Sequence, residues 1–570
     1  MKRISSYRYK KPIKSRFLVT FFFFTLCFIL LIARLFFLQV TKHKYYDDIA
    51  ENNRTIAVTI PPTRGLIFDR NLTNLVMNVP GYSVYAVPRY MNDKNRTAAE
   101  IGEILNIDKK TVFDKIDNDK MFVWIARELR DNEIRDIKSA QFDGIGFLPV
   151  SKRVYPHGSL AAHILGFVDI DNNGLEGIER YYDKELSGVS GYEMAVVDAK
   201  RRQVGSIANH CMLPRNGYNF VLTIDNTIQH IAEKAMLAGV KKYHPKSASI
   251  VVMDPSNGEI LALCNWPTYD LNDCVNSSAD VRRNRAITDI LEPGSSFKIV
   301  TASAVLEEHL VGPEDEFYCE NGSYRIAGRL LHDHRPHGTL KFKNIIELSS
   351  NIGTVKVAEK LGEKNLYKYI KVFGFGEETG IDLPGEAKGI LRNVSQWSKG
   401  SIAAIPIGHE IAVTAIQLTA AISCIANDGI LVKPKIVQKV VDDNNALIKE
   451  FKANPLRRVI SKEACLKMKE ILRMVAESGT GKKASVAGYS VAGKTGTGQR
   501  IENNGSYSHS KFNSIFIGFA PVDNPKIAIT IVFIEPHPHY YGGTVPAPVF
   551  ADIAGKTLRY MGVPPKGDVL

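Results

Sequence analysis

Hydrophobic positions divide the 570-residue chain into three stretches with different patterning. Between Phe17 and Leu38 they run on with Arg34 as the one charged interruption. Those 22 residues would span roughly 33 Å as a helix, about the hydrocarbon thickness of a bilayer. The run ends Leu-Phe-Phe-Leu-Gln-Val, with no small-residue cleavage site, and is longer than the apolar core of a signal peptide. The pattern predicts an uncleaved membrane helix over 17–40, with Arg34 near enough to one end to reach the interface. No second run of that length follows, so a single-pass protein is expected. From 41 to about 235, short β-type runs (Ile56–Ile60, Tyr82–Val87) alternate with a charged stretch, Asn106–Asp136, that reads as helical. Gly158–Gly191 is dense in Gly, Asp and Asn and suits turns. This part shows no triad or metal-ligand spacing and reads as a structural or interaction domain.

The pattern changes at about 245. Ser249–Met253, a turn at 254–258 and Glu259–Cys264 predict one β-hairpin; Ser514–Ala520, a turn at 523–525 and Ile527–Ile534 predict a second. Between them lie helical runs at Ile299–Leu310, Ile352–Leu361 and Ile411–Ala426. Strands at both ends of a domain with helices between predict an antiparallel sheet with a helical insertion, an α+β fold. The expected organisation is a tail at 1–16, an anchor at 17–40, a non-catalytic domain at 41–235 and a second domain at 245–558.

Charge refines the picture. A net +13 and a pI near 9.1 raise the thought of a nucleic-acid binder. Seven of the thirteen charges sit in residues 1–16, leaving +6 for the other 554, and no basic stripe with interleaved aromatics appears. Nucleic acid is therefore not an expected partner. The basic tail instead places residues 1–16 in the cytoplasm and everything after about 40 outside it. Of the seven cysteines, Cys27 lies in the anchor. Cys211, Cys264, Cys274, Cys319, Cys424 and Cys465 form no C-x-x-C pair, so zinc-thiolate sites are not expected. They read as buried small hydrophobes; disulfides are allowed in an exported domain, but their pairing cannot be read from sequence.

Three short motifs carry candidate chemistry. In Glu292-Pro-Gly-Ser-Ser-Phe-Lys298, Pro293-Gly294 breaks the chain before an apolar helical run, which puts Ser295 near a helix N-terminus. Lys298 follows three residues on, on the same face. A lysine can activate a serine if its neutral form is favoured, and a helix N-terminus offers N–H groups to an oxyanion. S-x-x-K alone is weak, since roughly two are expected by chance in a chain this long, and it does occur twice, here and at Ser508-His-Ser-Lys511. Ser349-Ser350-Asn351 reads by itself as a helix cap. Lys494-Thr495-Gly496-Thr497 lies in a strand-like stretch whose glycines at 496 and 498 allow close backbone approach. As an edge strand it can pair with an extended peptide, with lysine and hydroxyls to meet a carboxylate.

Two competing readings fail on context. Gly488–Thr495 matches the P-loop pattern, but polar residues precede it and a Gly- and Asn-rich stretch that cannot be a helix follows. His332-Asp333-His334 with His337, and His537 with His539, reads as polar loop rather than a metal site, so no metal is expected.

Together the three motifs resemble, in order and rough spacing, the penicillin-recognising acyl-serine transferases. The surrounding residues resemble the class B, monofunctional peptidoglycan transpeptidases. They are Glu292–Lys298, Lys494–Thr497, Gly408 with Val413-Thr414-Ala-Ile-Gln417, and Tyr541–Phe550. In the first half they are Arg64–Asn71, Arg153–Gly158, Ala161-Ala-His163 and Gly174–Arg180. The resemblance runs from the anchor to about 555. One departure is His409, where an aromatic residue is common.

The resemblance implies a membrane-anchored serine D,D-transpeptidase without metal or organic cofactor, its sheet flanked by helices on both sides. Its donor would be a peptidoglycan stem peptide ending in D-Ala-D-Ala, and β-lactams would be covalent inhibitors. It implies Ser295 as nucleophile and Lys298 as base. Ser349 would be proton relay, with Asn351 and Lys494 orienting it. Thr495, Gly496 and Thr497 would form the substrate strand, with Thr495 and Thr497 on the terminal carboxylate and the N–H groups of Ser295 and Thr497 as oxyanion hole. The rivals are a D,D-carboxypeptidase or β-lactamase-like hydrolase, a non-enzymatic β-lactam sensor, a bifunctional enzyme with its own glycosyltransferase, and an elongation-type transpeptidase. A β-lactamase would not need some 200 residues and an anchor ahead of the catalytic domain. Sixteen cytoplasmic residues are short for a sensor, and no paired-glutamate signature appears between 41 and 245. Asn351, where elongation enzymes of Gram-negative bacteria often carry aspartate, the Glu-Pro-Gly-Ser start and the chain length point to the septal, division type. Its expected partners are a polytopic glycosyltransferase and other division proteins.

Overall fold

The computed structural model describes residues 13–120, 122–197, 203–501 and 507–566. Two compact units emerge, one formed by the chain up to Pro62 with Val189–Arg215, the other by Thr63–Gly188 and Asn216 onward.

In the first unit, helix α1 (Ile13–Phe36) ends in a π-turn at Phe37–Thr41 and is followed by a helix at His43–Arg54. Among the described residues α1 with its π-turn is the one helix long and apolar enough to cross a membrane. Its phenylalanines and leucines are exposed, as lipid-facing side chains must be when no protein covers them. Thr55–Ile60 then joins Gly191–Val197 and Gln203–Met212 in an antiparallel three-stranded sheet.

The second unit holds two larger sheets. One runs Leu447–Glu450, Val437–Val441, Asn219–Leu222, Ile67–Phe68, Asn74–Ala86, Val123–Leu129, with Ile145–Val154 also on Asn74–Ala86. It pairs Asn219–Leu222 with Val437–Val441 across the division placed at 235–245. Below it, Arg64 and Arg153 share the buried Glu179 carboxylate at 2.6 and 2.7 Å, and Arg64 also reaches Asp183 at 2.7 Å. Three segments far apart in sequence are thereby tied at one point.

The other sheet carries the candidate motifs. Its strands are β1 (Ser247–Met253), β2 (Ile260–Trp266), β3 (Ala492–Ile501), β4 (Tyr507–Ala520) and β5 (Ile527–Ile534), ordered β2-β1-β5-β4-β3 and antiparallel throughout. Alternate side chains serve two separate cores. Val251, Ile515, Ile517 and Val532 face one with helices α3 (Lys298–Glu307), α4 (Asn351–Leu361) and α5 (Ala415–Ala426). Ile250, Val252, Phe516 and Ile531 face the other with α2 (Asn226–Tyr243) and α6 (Pro546–Tyr560). Covering both faces is why these strands read as continuous apolar runs rather than alternating ones. The α+β class and both hairpins agree with the sequence pattern, and the helices on both sides of the sheet with the resemblance.

Four local readings need correction. The stretch 106–136 is not all helical: Phe122-Val-Trp-Ile, rich in residues that favour strands, puts Val123–Leu129 in a sheet between helices Lys109–Ile116 and Asp131–Ser139. The turn-rich 158–191 contains three short helices. The helix expected from 411 begins at Ala415, because Thr414 caps it and Val413 pairs instead with Leu291. All seven cysteines are free thiols, but Cys211 is exposed and Cys274 half-buried rather than sunk in a core.

Candidate active site

The serine sits where the chain turns into α3. Gly294 takes φ +52°, a 3₁₀ turn covers Gly294–Phe297, and α3 starts at Lys298. Ser296 and Phe297 are buried, Ser296 Oγ donating to the Pro293 carbonyl at 2.7 Å, while Ser295 is half-exposed. Among the described residues nothing hydrogen-bonds the Ser295 hydroxyl, which leaves it open to a reacting carbonyl.

Glycines press this turn against β3. A Cβ on Gly496 would lie 2.7 Å from the Pro293 carbonyl oxygen, and one on Gly408 only 2.2 Å from that of Gly294. The close approach read from glycines 496 and 498 is thus in part to the protein's own serine turn. Gly408 also has φ +84°, so Gly408→Ala combines backbone strain with a clash behind Ser295. A shift of about 1 Å in a reacting group can cost about 10²-fold, and acylation of Gly408→Ala by a labelled penicillin should fall by about that factor. Unchanged acylation in a folded variant would show that the glycine contact does not position Ser295.

Both lysines are fully buried and converge on one hydroxyl. Lys494 Nζ donates to Ser349 Oγ at 2.9 Å. Lys298 Nζ donates to the Ser349 carbonyl at 2.7 Å and to Asn351 Oδ1 at 2.8 Å, and lies 3.3 Å from Ser349 Oγ. Burial first, and the neighbouring Lys494 charge second, push Lys298 well below the usual lysine range; Asp333 acts weakly the other way. Burial alone brings Lys494 down to about 7. Three acceptors around Lys298 Nζ would also suit an ammonium. Two ammoniums at one hydroxyl repel, however, and a neutral Lys298 can give both its N–H groups to the Ser349 carbonyl and Asn351, leaving its lone pair to receive a proton.

The Ser349-Ser-Asn turn divides its work. Ser350 is the helix cap, its Oγ accepting from Gly353 N at 2.9 Å, which frees Ser349 and Asn351 to face the lysines. Ser349 is held at φ +62°, a conformation that costs about 1–3 kcal/mol and persists only when its surroundings impose it. Asp333 imposes it: its carboxylate accepts from Ser350 Oγ, Asn351 N and Ile352 N at 2.6, 2.5 and 3.0 Å. The sequence reading weighed Asp333 only as a metal-loop residue and missed this. Its neighbours are built into the fold: the His332 carbonyl accepts from Asn351 Nδ2 at 3.0 Å, and His334 Nε2 meets Tyr541 OH at 2.9 Å. Among the described residues no group of three His, Cys, Asp or Glu is placed to hold a metal ion.

β3 is an edge strand and continues straight through Lys494-Thr495, so no P-loop helix follows that lysine. Its two threonines differ. Thr497 Oγ1 accepts from Gly542 N at 3.1 Å, which leaves its own hydrogen for an incoming acceptor. Thr495 is buried, and its hydroxyl is engaged with Thr480 at 2.8 Å. Glu292, just ahead of the serine turn, binds His409 Nδ1 at 2.8 Å, the Glu410 N–H at 2.9 Å and Tyr507 OH at 3.1 Å. His409 packs edge-on against Tyr507 and so joins a ring-lined wall, as an aromatic residue would.

A partly exposed serine on a helix-start turn, a lysine one turn on whose charge burial disfavours, and a serine shared with a second buried lysine define an acyl-serine transferase site. Residues 248–555 match the family model for the penicillin-binding protein transpeptidase domain, and 59–222 match that for the penicillin-binding protein dimerisation domain. Stage V sporulation protein D of Bacillus subtilis is 33% identical over 97% of this chain and 87% of its own length. A probable peptidoglycan D,D-transpeptidase, PenA, of Neisseria meningitidis is 31% identical over 98% and 95%. The crystal structure of penicillin-binding protein 3 from Mycobacterium tuberculosis, complexed with aztreonam, superposes with a TM-score of 0.71 at 29% identity, covering 90% of this chain and 99% of that one. The chain belongs to the class B penicillin-binding proteins and carries a peptidoglycan D,D-transpeptidase domain.

Proposed function

We propose that this transpeptidase is a single-pass enzyme, with its N-terminus in the cytoplasm and its catalytic domain outside, that cross-links stem peptides through an acyl-enzyme on Ser295. The convergence of Lys298 and Lys494 on Ser349 Oγ supports it most directly. Ser295 Oγ attacks the carbonyl between the two D-alanines while Lys298 accepts its proton. The N–H groups of Ser295 and Thr497 receive the oxyanion; a Cβ on Gly294 would stand 2.9 Å from the Thr497 carbonyl oxygen, so the two backbones are in contact. Ser349, held by Lys494, hands the proton to the leaving D-alanine. Thr497, with Thr495 beneath it, binds the terminal carboxylate. An amine from a second stem peptide then takes the acyl group. β-Lactams enter the first half of this cycle.

The septal type is the reading that Asn351 supports. Its neutral amide accepts from Lys298 without adding charge, whereas an aspartate there would favour the ammonium. Work beside a polytopic glycosyltransferase, held partly through residues 17–38 and the 41–235 domain, follows from that reading. Depletion in the native cell should give long filaments that grow without dividing; round, swollen cells would count for the elongation type. A reporter fused after residue 60 should be exported and one fused at residue 1 should not, and the reverse would overturn the orientation.

A further inference from the structure

Transfer of the acyl group to an amine needs one proton step that the chemistry above does not supply. An aliphatic amine arrives at neutral pH as an ammonium ion, which has no lone pair to offer the ester carbon. Its surplus proton must leave before attack. Lys298 and Lys494 are fully buried around Ser349 Oγ, where a second positive charge is disfavoured, so neither suits a proton that has to reach solvent.

A histidine stands beside the serine turn. Residues 408–413 run along 291–294: Leu291 and Val413 exchange both backbone hydrogen bonds at 2.9 Å, and Gly294 N donates to the Gly408 carbonyl at 3.2 Å. His409 is thereby fixed one residue from the glycine contact that backs Ser295. Its Nδ1 meets Glu292 Oε2 at 2.8 Å, and its ring packs edge-on to Tyr507 with centroids 5.1 Å apart. Glu292 is itself held, its Oε1 accepting from Glu410 N at 2.9 Å and from Tyr507 OH at 3.1 Å. The Glu410 carboxylate accepts from Arg392 and Ser401 at 2.6 and 2.8 Å.

Such a pairing makes a histidine a base. A carboxylate at Nδ1 fixes the hydrogen there, leaves the Nε2 lone pair open and steadies the imidazolium once a proton arrives. Among the described residues nothing hydrogen-bonds His409 Nε2. The His409 side chain is 24% exposed against 10% for Glu292, so a proton taken by the ring has a way out to water. The same carboxylate attracts a cation to this place.

We infer that His409, oriented by Glu292, is a further catalytic base, which takes the surplus proton of the acceptor ammonium and so turns it into a nucleophile. The inference rests on the acyl-enzyme reading above. One ammonium N–H bond breaks toward His409 Nε2, and the imidazolium passes that proton to water. The amine nitrogen then bonds to the ester carbon and the bond from that carbon to Ser295 Oγ breaks. The second amine proton returns to Ser295 through Ser349 and Lys298, the reverse of acylation.

His409→Phe tests this, because it keeps a ring against Tyr507 and supplies the kind of residue common at this position. The full-length protein in detergent is given a D-Ala-D-Ala-terminated stem peptide with one of two amines at neutral pH. Ethylamine is an ammonium there; methoxyamine, a far weaker base, is largely neutral. Amide formation is measured beside acylation by a labelled penicillin. In the variant, transfer to ethylamine should fall by roughly 10²-fold, the lower end of the range for a lost general base. Transfer to methoxyamine should fall by no more than acylation does. A parallel fall for both amines, or no fall for ethylamine, would overturn the inference; with the penicillin adduct still on Ser295, either result removes His409 alone. A native protein that passes the acyl group to neither amine, or forms no adduct on Ser295, would instead sink the reading beneath it.

Discussion

Ser295→Ala should lose all covalent labelling by penicillin and remain folded. The serine is half-exposed at the end of a turn whose packing rests on Gly294, Ser296 and Phe297, and its hydroxyl bonds nothing among the described residues. Removing that oxygen leaves no buried group unsatisfied, so the cost to stability should lie within about 0.5 kcal/mol. The loss of chemistry should be complete, because no other serine in the chain has a lysine three residues on behind a helix-breaking Pro-Gly; in Ser508-His-Ser-Lys511 that spacing lies within strand β4. Intact-mass measurement after exposure to a β-lactam, with circular dichroism as the check on folding, reads both halves. An adduct persisting in the folded variant would remove Ser295 from the nucleophile role.

Lys298→Ala should slow acylation by roughly 10²–10⁴, the range expected when a general base is lost. The pH dependence separates this from a merely structural effect. Burial and Lys494 depress the Lys298 ammonium, so the acid limb of the acylation profile should fall well below the ordinary lysine value of 10.5, with the rate rising as pH rises through it. Asn351→Asp places a negative charge on Lys298 Nζ, raises its pKa and should move that limb to higher pH. A profile that does not move would argue against Lys298 as the titrating base. The same depressed lysines lower stability at neutral pH. There the unfolded chain binds protons that the folded chain does not, so stability should rise with pH toward 10.5.

The sequence was most legible where function depends on local order. The anchor, the Ser295-x-x-Lys298 turn, the two hairpins and the edge strand at Lys494 are each written within a few adjacent residues. The three motifs could be assembled only by resemblance, since residues 54 and 145 positions apart meet through packing that no local pattern encodes. Asp333 shows the limit. It caps α4 from 18 residues upstream of Asn351, and nothing around it marks a cap rather than a polar loop. Thr480 on Thr495 and Gly408 behind Gly294 were hidden for the same reason. Val123–Leu129 was misread because the charged residues on either side of the strand outweighed its core in the pattern.

The account rests on an acyl-enzyme formed by the natural donor, not by a penicillin alone. The direct test is brief reaction of the full-length protein with a D-Ala-D-Ala-terminated stem peptide, an acid quench, and mass mapping of the peptide that contains residues 292–298. The account predicts a donor acyl group on Ser295, one D-alanine released for each acyl group bound, and loss of the adduct when an amine acceptor is supplied before the quench. Release of D-alanine with no acyl group on Ser295, or with the group on another residue, would contradict it.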